Sequence, residues 1–315
     1  MSQYSSIPES SSTPESGSVP ASGPSPASGS APAADWGAVV GTLRAAGCVF
    51  AEDEARLLIE AADTPAALRD MVAQRVAGLP LEHIVGWVEF CGLRVAVDPG
   101  VFVPRQRTGL LVRRAAAQAA SAPGSVTGPA AAGPAAGPAA ADPTAAARPV
   151  VVDLACGSGA VGMAVAALVP NAALYAVDIE PAAVRCARRN LTPIGGQVYE
   201  GDLYAPLPDR LRGHVDVVVA NVPYVPTDAV GLMPREARDH EPRVTLDGGF
   251  DGLDVLRRVA QRAGDWLVPG GQVLMEIGED QADAAVGALT GTGLAAAVEN
   301  DDDLHAWIVV GRRQR

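Results

Sequence analysis

Short runs of apolar residues, each closed by a polar residue, recur through the second half of the chain. They are predicted strands at residues 150–152, 173–177, 215–220 and 272–277, which end at or near Asp153, Asp178, Asn221 and Glu276. Helical patterns lie between them, as at 159–169 and 181–190. Strands alternating with helices predict an α/β fold with a doubly wound parallel sheet. Ligands of such sheets bind beyond the carboxyl ends of the strands, so these polar residues are site candidates.

The region before the predicted sheet has apolar positions at helical spacing instead. Three short helices are predicted, on Trp36, Val39, Val40 and Leu43, on Ala55, Leu58, Ile59 and Ala62, and on Leu68, Met71 and Val72. Asp35 and Thr64 are candidate N-caps, Pro65 suits a first helical turn, and Gly47 can end the first helix. Core packing explains these apolar faces, so we predict a small helical bundle without chemistry of its own.

Two further segments lack any such pattern. Residues 1–34 are almost wholly Ser, Pro, Ala, Gly and Glu, and we predict a disordered tail because they cannot bury enough apolar surface. Residues 121–148 are rich in Ala, Gly and Pro and predict a flexible, low-complexity insertion between ordered elements.

Composition narrows the class of protein. The 315 residues are 48% hydrophobic, enough for an α/β domain plus a smaller one, and all 24 basic residues are Arg. A formal net charge of −12 argues against binding nucleic acid through phosphate contacts. The sequence has neither an apolar run long enough for a membrane span nor a signal-peptide pattern. The four cysteines, which lack metal-ligand spacing, are Cys48, Cys91, Cys156 and Cys186. We therefore expect reduced thiols, no metal site and a cytoplasmic location.

A glycine-rich loop follows the first predicted strand of the sheet. Gly157, Gly159 and Gly162 fit the dinucleotide fingerprint, with Asp178 placed to hold ribose hydroxyls. Asp153 argues against a pyrophosphate, because a carboxylate at the strand end repels phosphate and suits a cationic ligand. The loop therefore favours S-adenosylmethionine, which carries ammonium and sulfonium groups, over NAD. An NAD-dependent oxidoreductase, or a tight turn that binds nothing, stays an alternative on this loop alone.

A second turn follows a short predicted strand at 197–199. Asp202 could accept a hydrogen bond from the amino group of adenine, and Leu203 could pack on the ring. Because such turns are common, this one carries little weight by itself.

The sequence Asn221-Val-Pro-Tyr224 directly follows a buried run. An amide or aromatic amine nitrogen has a delocalised lone pair, so a methyltransferase must hold such an acceptor with the lone pair turned toward the donor. Asn221 and the Val222 carbonyl can accept its two N–H bonds, Pro223 keeps Val222 extended, and Tyr224 offers a face for a planar group. The pattern predicts direct N-methyl transfer, with a strand-end turn capped by Asn as the plain structural alternative.

A series of motifs in this order resembles the HemK/PrmC family, protein-(glutamine-N5) methyltransferases that modify the GGQ glutamine of peptide-chain release factors. The motifs are PLEHIVG at 80–86, VFVPR at 101–105, DLACGSG at 153–159, NVPY at 221–224, EP at 241–242, DGGFDGL at 247–253, PGG at 269–271 and EIG at 276–278. The resemblance runs from about residue 35 to residue 310, apart from the insertion.

The resemblance implies a Class I, Rossmann-like, seven-stranded S-adenosylmethionine-dependent methyltransferase domain at 105–315, behind a helical substrate-recognition domain at 35–84 and a hairpin linker at 85–104. It implies that S-adenosyl-L-methionine is held by Asp153, Ala155, Cys156, Gly157, Ser158, Gly159, Asp178, Asp202, Leu203 and Asn221. The implied catalytic residues are Asn221, Val222, Pro223 and Tyr224, with no metal. The implied partner is a protein substrate, a peptide-chain release factor, and no membrane or nucleic acid partner is expected.

The chain departs from the family on the substrate side. Val222 stands where the family has a proline, and Gln106-Arg107-Thr108-Gly109 replaces the acidic residues expected after the Pro-Arg pair. The alternatives are an amino-methyltransferase of a DNA or RNA base, which the acidic charge disfavours, and a catalytically silent binding module.

Overall fold

The computed structural model describes residues 36–126 and 148–314, and the fold is described from these two stretches. The predicted disordered tail at 1–34, the Asp35 cap and residues 127–147 of the predicted insertion lie outside them. Within the two stretches, no helix is both long enough and apolar enough to cross a lipid bilayer.

Four helices and a β-hairpin form the first part of the chain: α1 (Trp36–Ala45), α2 (Ala51–Ala61), α3 (Pro65–Val76), α4 (Leu81–Val85), β1 (Trp87–Phe90) and β2 (Leu93–Ala96). The three predicted helices are confirmed, and the short α4 was not predicted. The Thr64 side chain accepts the Ala67 N–H at 3.1 Å and so caps α3, while Gly47, with φ of +92°, follows the end of α1. Leu43 and Leu58 lie at the centre of a small core between these helices.

A seven-stranded sheet forms the second part of the chain, with strands β3 (Val150–Leu154), β4 (Ala173–Asp178), β5 (Gln197–Glu200), β6 (Val215–Ala220), β7 (Leu267–Ile277), β8 (Ala295–Asp301) and β9 (Ala306–Arg312). Its helices are α5 (Gly109–Ala120), α6 (Ala160–Leu168), α7 (Pro181–Leu191), α8 (Arg235–His240), α9 (Asp254–Trp266) and α10 (Ala282–Thr290). The order is β5-β4-β3-β6-β7-β9-β8, with every pair parallel except the two that involve β9. The predicted doubly wound sheet is confirmed.

Helices cover both faces of the sheet, which is why its central strands are apolar throughout. Val151 pairs with Val217 on the face that packs against α5, α6 and α7. Val152 pairs with Val218 on the opposite face, which packs against α9 and α10. Every residue of β3 is buried as a result.

The order of the strands reverses at β3, which has β4 on one side and β6 on the other. Parallel register places Asp153 beside Val219 and Leu154 beside Ala220, so the segments that follow β3 and β6 leave the sheet side by side. A crevice at such a switch point is where open α/β sheets bind their ligands.

Candidate active site

A pocket opens at the carboxyl edge of the sheet, where β3, β4 and β6 end. Its lining includes Asp153, Ala155, Cys156, Gly157, Ser158, Asp178, Asp202, Leu203, Asn221, Val222, Pro223 and Tyr224. Of the residues predicted to hold the donor or the acceptor, all of which lie in the described part of the chain, only Gly159 is absent from the lining. Gly162 of the fingerprint and Glu276, the fourth strand-end candidate, are not among the lining residues either. The glycine-rich loop and the Asn221 motif therefore share one crevice.

The loop after β3 is held in place by strand β4. The Cys156 N–H donates to the Val177 carbonyl oxygen at 3.0 Å, and the Gly157 N–H donates to Asp178 Oδ2 at 2.8 Å. Ala155 has φ of +52°, in the left-handed region that residues with a Cβ rarely adopt. Strain of this kind persists where the surroundings hold it, and it is frequent at functional sites.

The three glycines of the loop have different surroundings. A Cβ on Gly157 would enter open space, so this part of the backbone is accessible to a ligand. A Cβ on Gly159 would lie 2.8 Å from Leu191 Cδ1, and a Cβ on Gly162 would lie 3.1 Å from Asp153 Oδ2. Gly159 and Gly162 are therefore needed for close packing, and Gly157 is the glycine that lines the pocket.

Asp153 is almost fully buried at the base of the loop. Its Oδ2 accepts the Gly162 N–H at 2.9 Å. Burial raises the pKa of Asp153 to about 7, although the bond from Gly162 favours the ionised form. A neighbouring cation would also favour ionisation, whereas a phosphate would oppose it. This carboxyl group therefore suits a positively charged ligand group.

Asp178 and Asp202 differ in how far they are engaged by the protein. The Asp178 oxygens accept one backbone N–H each, from Gly157 at 2.8 Å and Glu180 at 2.9 Å, and burial raises the pKa of this carboxyl. A carboxylate has about four acceptor positions, so Asp178 retains capacity for two hydroxyl groups. Asp202 is exposed and forms an ion pair with Arg258 of α9, another pocket residue.

The Asn221 motif offers the pocket two hydrogen-bond acceptors, one on a side chain and one on the backbone. Within the described residues, neither Asn221 Oδ1 nor the Val222 carbonyl oxygen has a hydrogen-bond partner, although Val222 is only 2% exposed. The Asn221 amide nitrogen Nδ2 donates instead to Thr108 Oγ1 at 3.4 Å. Asn221 is half-buried and both residues line the pocket, so the two acceptors can receive N–H groups of a ligand.

Tyr224 is anchored by charged residues from two other elements. Its hydroxyl donates to Glu276 Oε1 at 2.9 Å and accepts a hydrogen bond from Arg107 Nη2. Burial, together with the neighbouring Glu276 carboxylate, raises the pKa of Tyr224. The tyrosine is therefore a neutral, fixed wall of the pocket.

A glycine-rich turn supports the backbone of the motif from behind. A Cβ on Gly252 would lie 2.2 Å from the Tyr224 carbonyl oxygen, and a Cβ on Gly248 would lie 2.7 Å from the Pro223 carbonyl oxygen. The Gln281 amide also donates to the Tyr224 carbonyl oxygen at 2.8 Å. The DGGFDGL motif thus packs its backbone directly on residues 223–224.

Arg107 and Thr108 also line the pocket, although no local sequence pattern marks them as site residues. Both contact Glu276: Arg107 Nε donates to Oε1 at 3.0 Å, and Thr108 Oγ1 donates to Oε2 at 2.6 Å. Their signal in the sequence was the replacement of acidic residues after the Pro-Arg pair, at the very positions that face Glu276. Arg258 was also missed, because nothing in the pattern of α9 marks it.

Comparison with known proteins gives concordant matches. The family model of the methyltransferase small domain matches residues 142–233. The release factor glutamine methyltransferase of Geobacter sulfurreducens is 36% identical over 250 residues, which cover 79% of this chain and 78% of that protein. The proteins of the same name from Streptomyces coelicolor and Mycolicibacterium smegmatis are 36% and 35% identical, over 70% and 76% of this chain and the same shares of their own.

Proposed function

The chain belongs to the release factor glutamine methyltransferase family, and we propose that it transfers a methyl group from S-adenosylmethionine to the side-chain nitrogen of a glutamine in a peptide-chain release factor. The proposal agrees with the resemblance drawn from the sequence motifs. It also agrees with the methyltransferase domain that matches residues 142–233.

The observation that carries the proposal is the pair of acceptors in the Asn221 motif. A primary amide offers two N–H bonds on one nitrogen, and Asn221 Oδ1 and the Val222 carbonyl lack partners among the described residues. Holding both N–H bonds in the plane of the amide leaves the nitrogen lone pair perpendicular to that plane. Pre-orientation of this kind lowers the barrier, because the entropy cost of aligning the two reactants is met when they bind.

The residues beside the motif fit S-adenosylmethionine. Buried Asp153 suits a cationic group, Gly157 leaves backbone accessible, and Asp178 has spare acceptor capacity for ribose hydroxyls. Ser158 is buried, with 1% of its surface exposed. Its hydroxyl has no hydrogen-bond partner in the described part of the chain, so it can form a hydrogen bond with the same ligand. When bound, this cofactor supplies an electrophilic methyl group and leaves as a neutral thioether, and the amide nitrogen releases one of its two protons to water as the N-methyl amide forms.

The protein's own contribution is to bind and orient the acceptor. Asn221 and Val222 accept the amide N–H bonds, and Pro223 keeps Val222 in the extended conformation that presents its carbonyl. Tyr224, fixed by Glu276 and Arg107, offers its ring to the planar amide.

The decisive experiment measures methyl transfer from labelled S-adenosylmethionine to a purified release factor. We expect label on the glutamine of its GGQ sequence, no label on a release factor with that Gln replaced by Ala, and none on DNA or RNA oligonucleotides. Label on oligonucleotides alone would favour the amino-methyltransferase of nucleic acid bases, and calorimetric binding of NAD in place of the methyl donor would favour an oxidoreductase.

Asn221→Ala tests the role of the motif in this reaction. Turnover should fall by at least about 100-fold, the scale seen when one preorganised hydrogen-bonding group is lost. Donor affinity should change far less. Asn300→Ala, at an exposed position of β8, is the matched control and should keep wild-type turnover. Full activity of Asn221→Ala would remove this residue from the mechanism.

Val222→Pro tests the substrate side with the opposite expectation. The proposed contribution of Val222 is its carbonyl, which survives the substitution, so turnover should stay within about tenfold, or about 1.4 kcal/mol in barrier. Collapse of activity would indicate that this loop is adapted to another acceptor.

A further inference from the structure

The side chain of Asn221 has two orientations of almost equal shape, and only one of them supports the proposed reaction. With Oδ1 toward the acceptor, the side chain receives an N–H bond. Rotated by half a turn, it would present its own N–H groups to those of the substrate, and the two donors would repel. Something in the protein must select the first orientation.

Thr108 is the neighbour that contacts the other end of this amide. Its Oγ1 lies 3.4 Å from Asn221 Nδ2, and the residue is 1% exposed, so water does not compete for the contact. A hydroxyl can donate or accept, however, and by itself it would tolerate either orientation of the amide.

Glu276 removes that freedom. Thr108 Oγ1 lies 2.6 Å from Glu276 Oε2, and an ionised carboxylate can only accept. The single hydroxyl proton of Thr108 is therefore committed to Glu276, and its oxygen is left with lone pairs alone. An atom that can only accept selects Nδ2 of Asn221 rather than Oδ1.

The other carboxylate oxygen of Glu276, Oε1, is also held by hydrogen bonds. Oε1 receives bonds from Arg107 Nε at 3.0 Å and from the Tyr224 hydroxyl at 2.9 Å, and the residue is 2% exposed. With these two donors at Oε1, Oε2 is the oxygen that faces Thr108. The polarity runs outward from Glu276 through Thr108 to Asn221.

We propose that Thr108 is a positioning residue that passes the polarity of Glu276 to Asn221 and so keeps Asn221 Oδ1 available to the substrate nitrogen. This assignment rests on the proposed function for its catalytic consequence. The orientation of the amide, in contrast, is a property of the protein alone.

The test compares Thr108→Val, which removes the hydroxyl, with Thr108→Ser, which keeps it. For methylation of the release factor, Thr108→Val should lower kcat at least about tenfold, because Asn221 Nδ2 would face an apolar side chain without a partner and the amide would favour the rotated, unproductive orientation. KM and donor affinity should change less than about threefold, and Thr108→Ser should stay within about threefold of wild type on every constant. Thr292→Val is the matched control and should be unchanged, because the Thr292 hydroxyl donates to the Leu289 carbonyl oxygen in an exposed turn.

A double-mutant cycle separates positioning from a general loss of packing. Thr108→Val should add no more than about twofold to the defect of Asn221→Ala, since a residue that acts through Asn221 has nothing left to orient. The proposal would be overturned if the kcat defects of Thr108→Val and Asn221→Ala multiplied in the double variant. It would also be overturned if Thr108→Val and Thr108→Ser lost the same share of kcat.

A measurement without substrate keeps the inference apart from the proposed function. The side-chain ¹⁵N–¹H pair of Asn221 is identified as the signal missing from Asn221→Ala. In wild type and Thr108→Ser one of its protons should be shifted downfield and protected from exchange, and Thr108→Val should lose both effects. Absence of that signature in wild type would overturn the positioning role even if the release factor is methylated. Its presence would support that role even if methylation fails, which would refute only the proposed function.

Discussion

Asp178 illustrates how one carboxylate can serve both the protein and a ligand. Its two oxygens already hold the Gly157 and Glu180 N–H groups, and we expect them to hold the ribose hydroxyls of the donor as well. Loss of such charge-assisted bonds costs on the order of 2–3 kcal/mol. Asp178→Ala should therefore weaken S-adenosylmethionine binding by roughly 30- to 150-fold in calorimetry.

Two further variants sharpen that prediction. Asp178→Asn keeps an acceptor for one of the backbone N–H groups, and its affinity should lie between those of wild type and Asp178→Ala. Asp209→Ala removes a carboxylate whose side chain is 89% exposed and should bind the donor like wild type. Unchanged affinity in Asp178→Ala would exclude this residue from the donor site.

Asp153 makes stability depend on pH in a defined direction. Burial raises the pKa of its carboxyl to about 7 in the folded chain, against an ordinary value of about 3.9. Between these values the folded state binds a proton that the unfolded state has released, so this group lowers the free energy of unfolding as pH rises from about 4 to about 7.

Asp153→Asn removes the titration and keeps an oxygen for the Gly162 N–H. The free energies of unfolding are measured with urea. The value for Asp153→Asn minus the value for wild type should therefore increase with pH across this window, by at most about 1.4 kcal/mol per pH unit. Asp209→Asn, exposed in the native chain, should track wild type. A difference that is constant with pH would contradict the raised pKa.

At the scale of elements, Arg75 links two of the N-terminal helices through a buried ion pair and reaches helix α8 through a second, half-exposed one. Arg75 of α3 bonds Glu54 of α2 at 2.6 Å and Glu236 of α8 at 2.6 Å, and it donates to the Leu79 carbonyl oxygen at 3.1 Å. Glu54 is buried, whereas Glu236 is half exposed. The segment that carries α8 also contributes Met233 to the pocket, so this contact connects the helical bundle with the pocket rim.

Arg75→Ala should destabilise the protein by about 3–5 kcal/mol, because it leaves the Glu54 charge buried without its partner. Glu236→Gln removes only the half-exposed pair and should cost about 1 kcal/mol or less. Arg69→Ala, at an exposed position of the same helix, should lie within about 0.5 kcal/mol of wild type. Urea unfolding measures all three, and equal effects of Arg75→Ala and Arg69→Ala would contradict the bridge.

At the scale of the whole molecule, the long segment between α5 and β3 is predicted to be dispensable. Helix α5 packs on β6, β7 and β9 through residues up to Ala120, and β3 begins at Val150. The Val126 N–H donates to Asn171 Oδ1 at 2.8 Å, so the chain is still attached to the domain at residue 126.

Replacing residues 127–147 by a brief Gly/Ser linker should shift the thermal midpoint by less than about 2 °C, equivalent to less than about 1 kcal/mol, and leave donor affinity intact. Gly252→Ala is the contrasting variant, because its Cβ would meet the Tyr224 carbonyl oxygen at 2.2 Å, and it should lower both stability and activity. A large loss of stability on replacing the segment would show that it contributes to the core.

The sequence by itself determined the central strands, the helices between them and the edge at which the site lies. These features are local: a strand buried on both faces must be continuously apolar, and the polar residue that ends it must emerge at the carboxyl edge. Strands β8 and β9 were not identified in this way. β8, Ala-Ala-Ala-Val-Glu-Asn-Asp, has little intrinsic strand preference and forms because β9 offers it a ladder of hydrogen bonds.

Only the tertiary structure decided which atoms of the site are committed and which are available. Thr108 and Glu276 are 168 residues apart in the chain, yet their hydrogen bond determines what Thr108 can offer to Asn221. The same holds for Asp202, an adenine contact by sequence pattern, which the fold pairs with Arg258 of α9. Local patterns record where a side chain leaves its own strand or helix. Hydrogen bonds and ion pairs within the site depend on distances between segments remote in sequence, and those distances are set only when the sheet has formed.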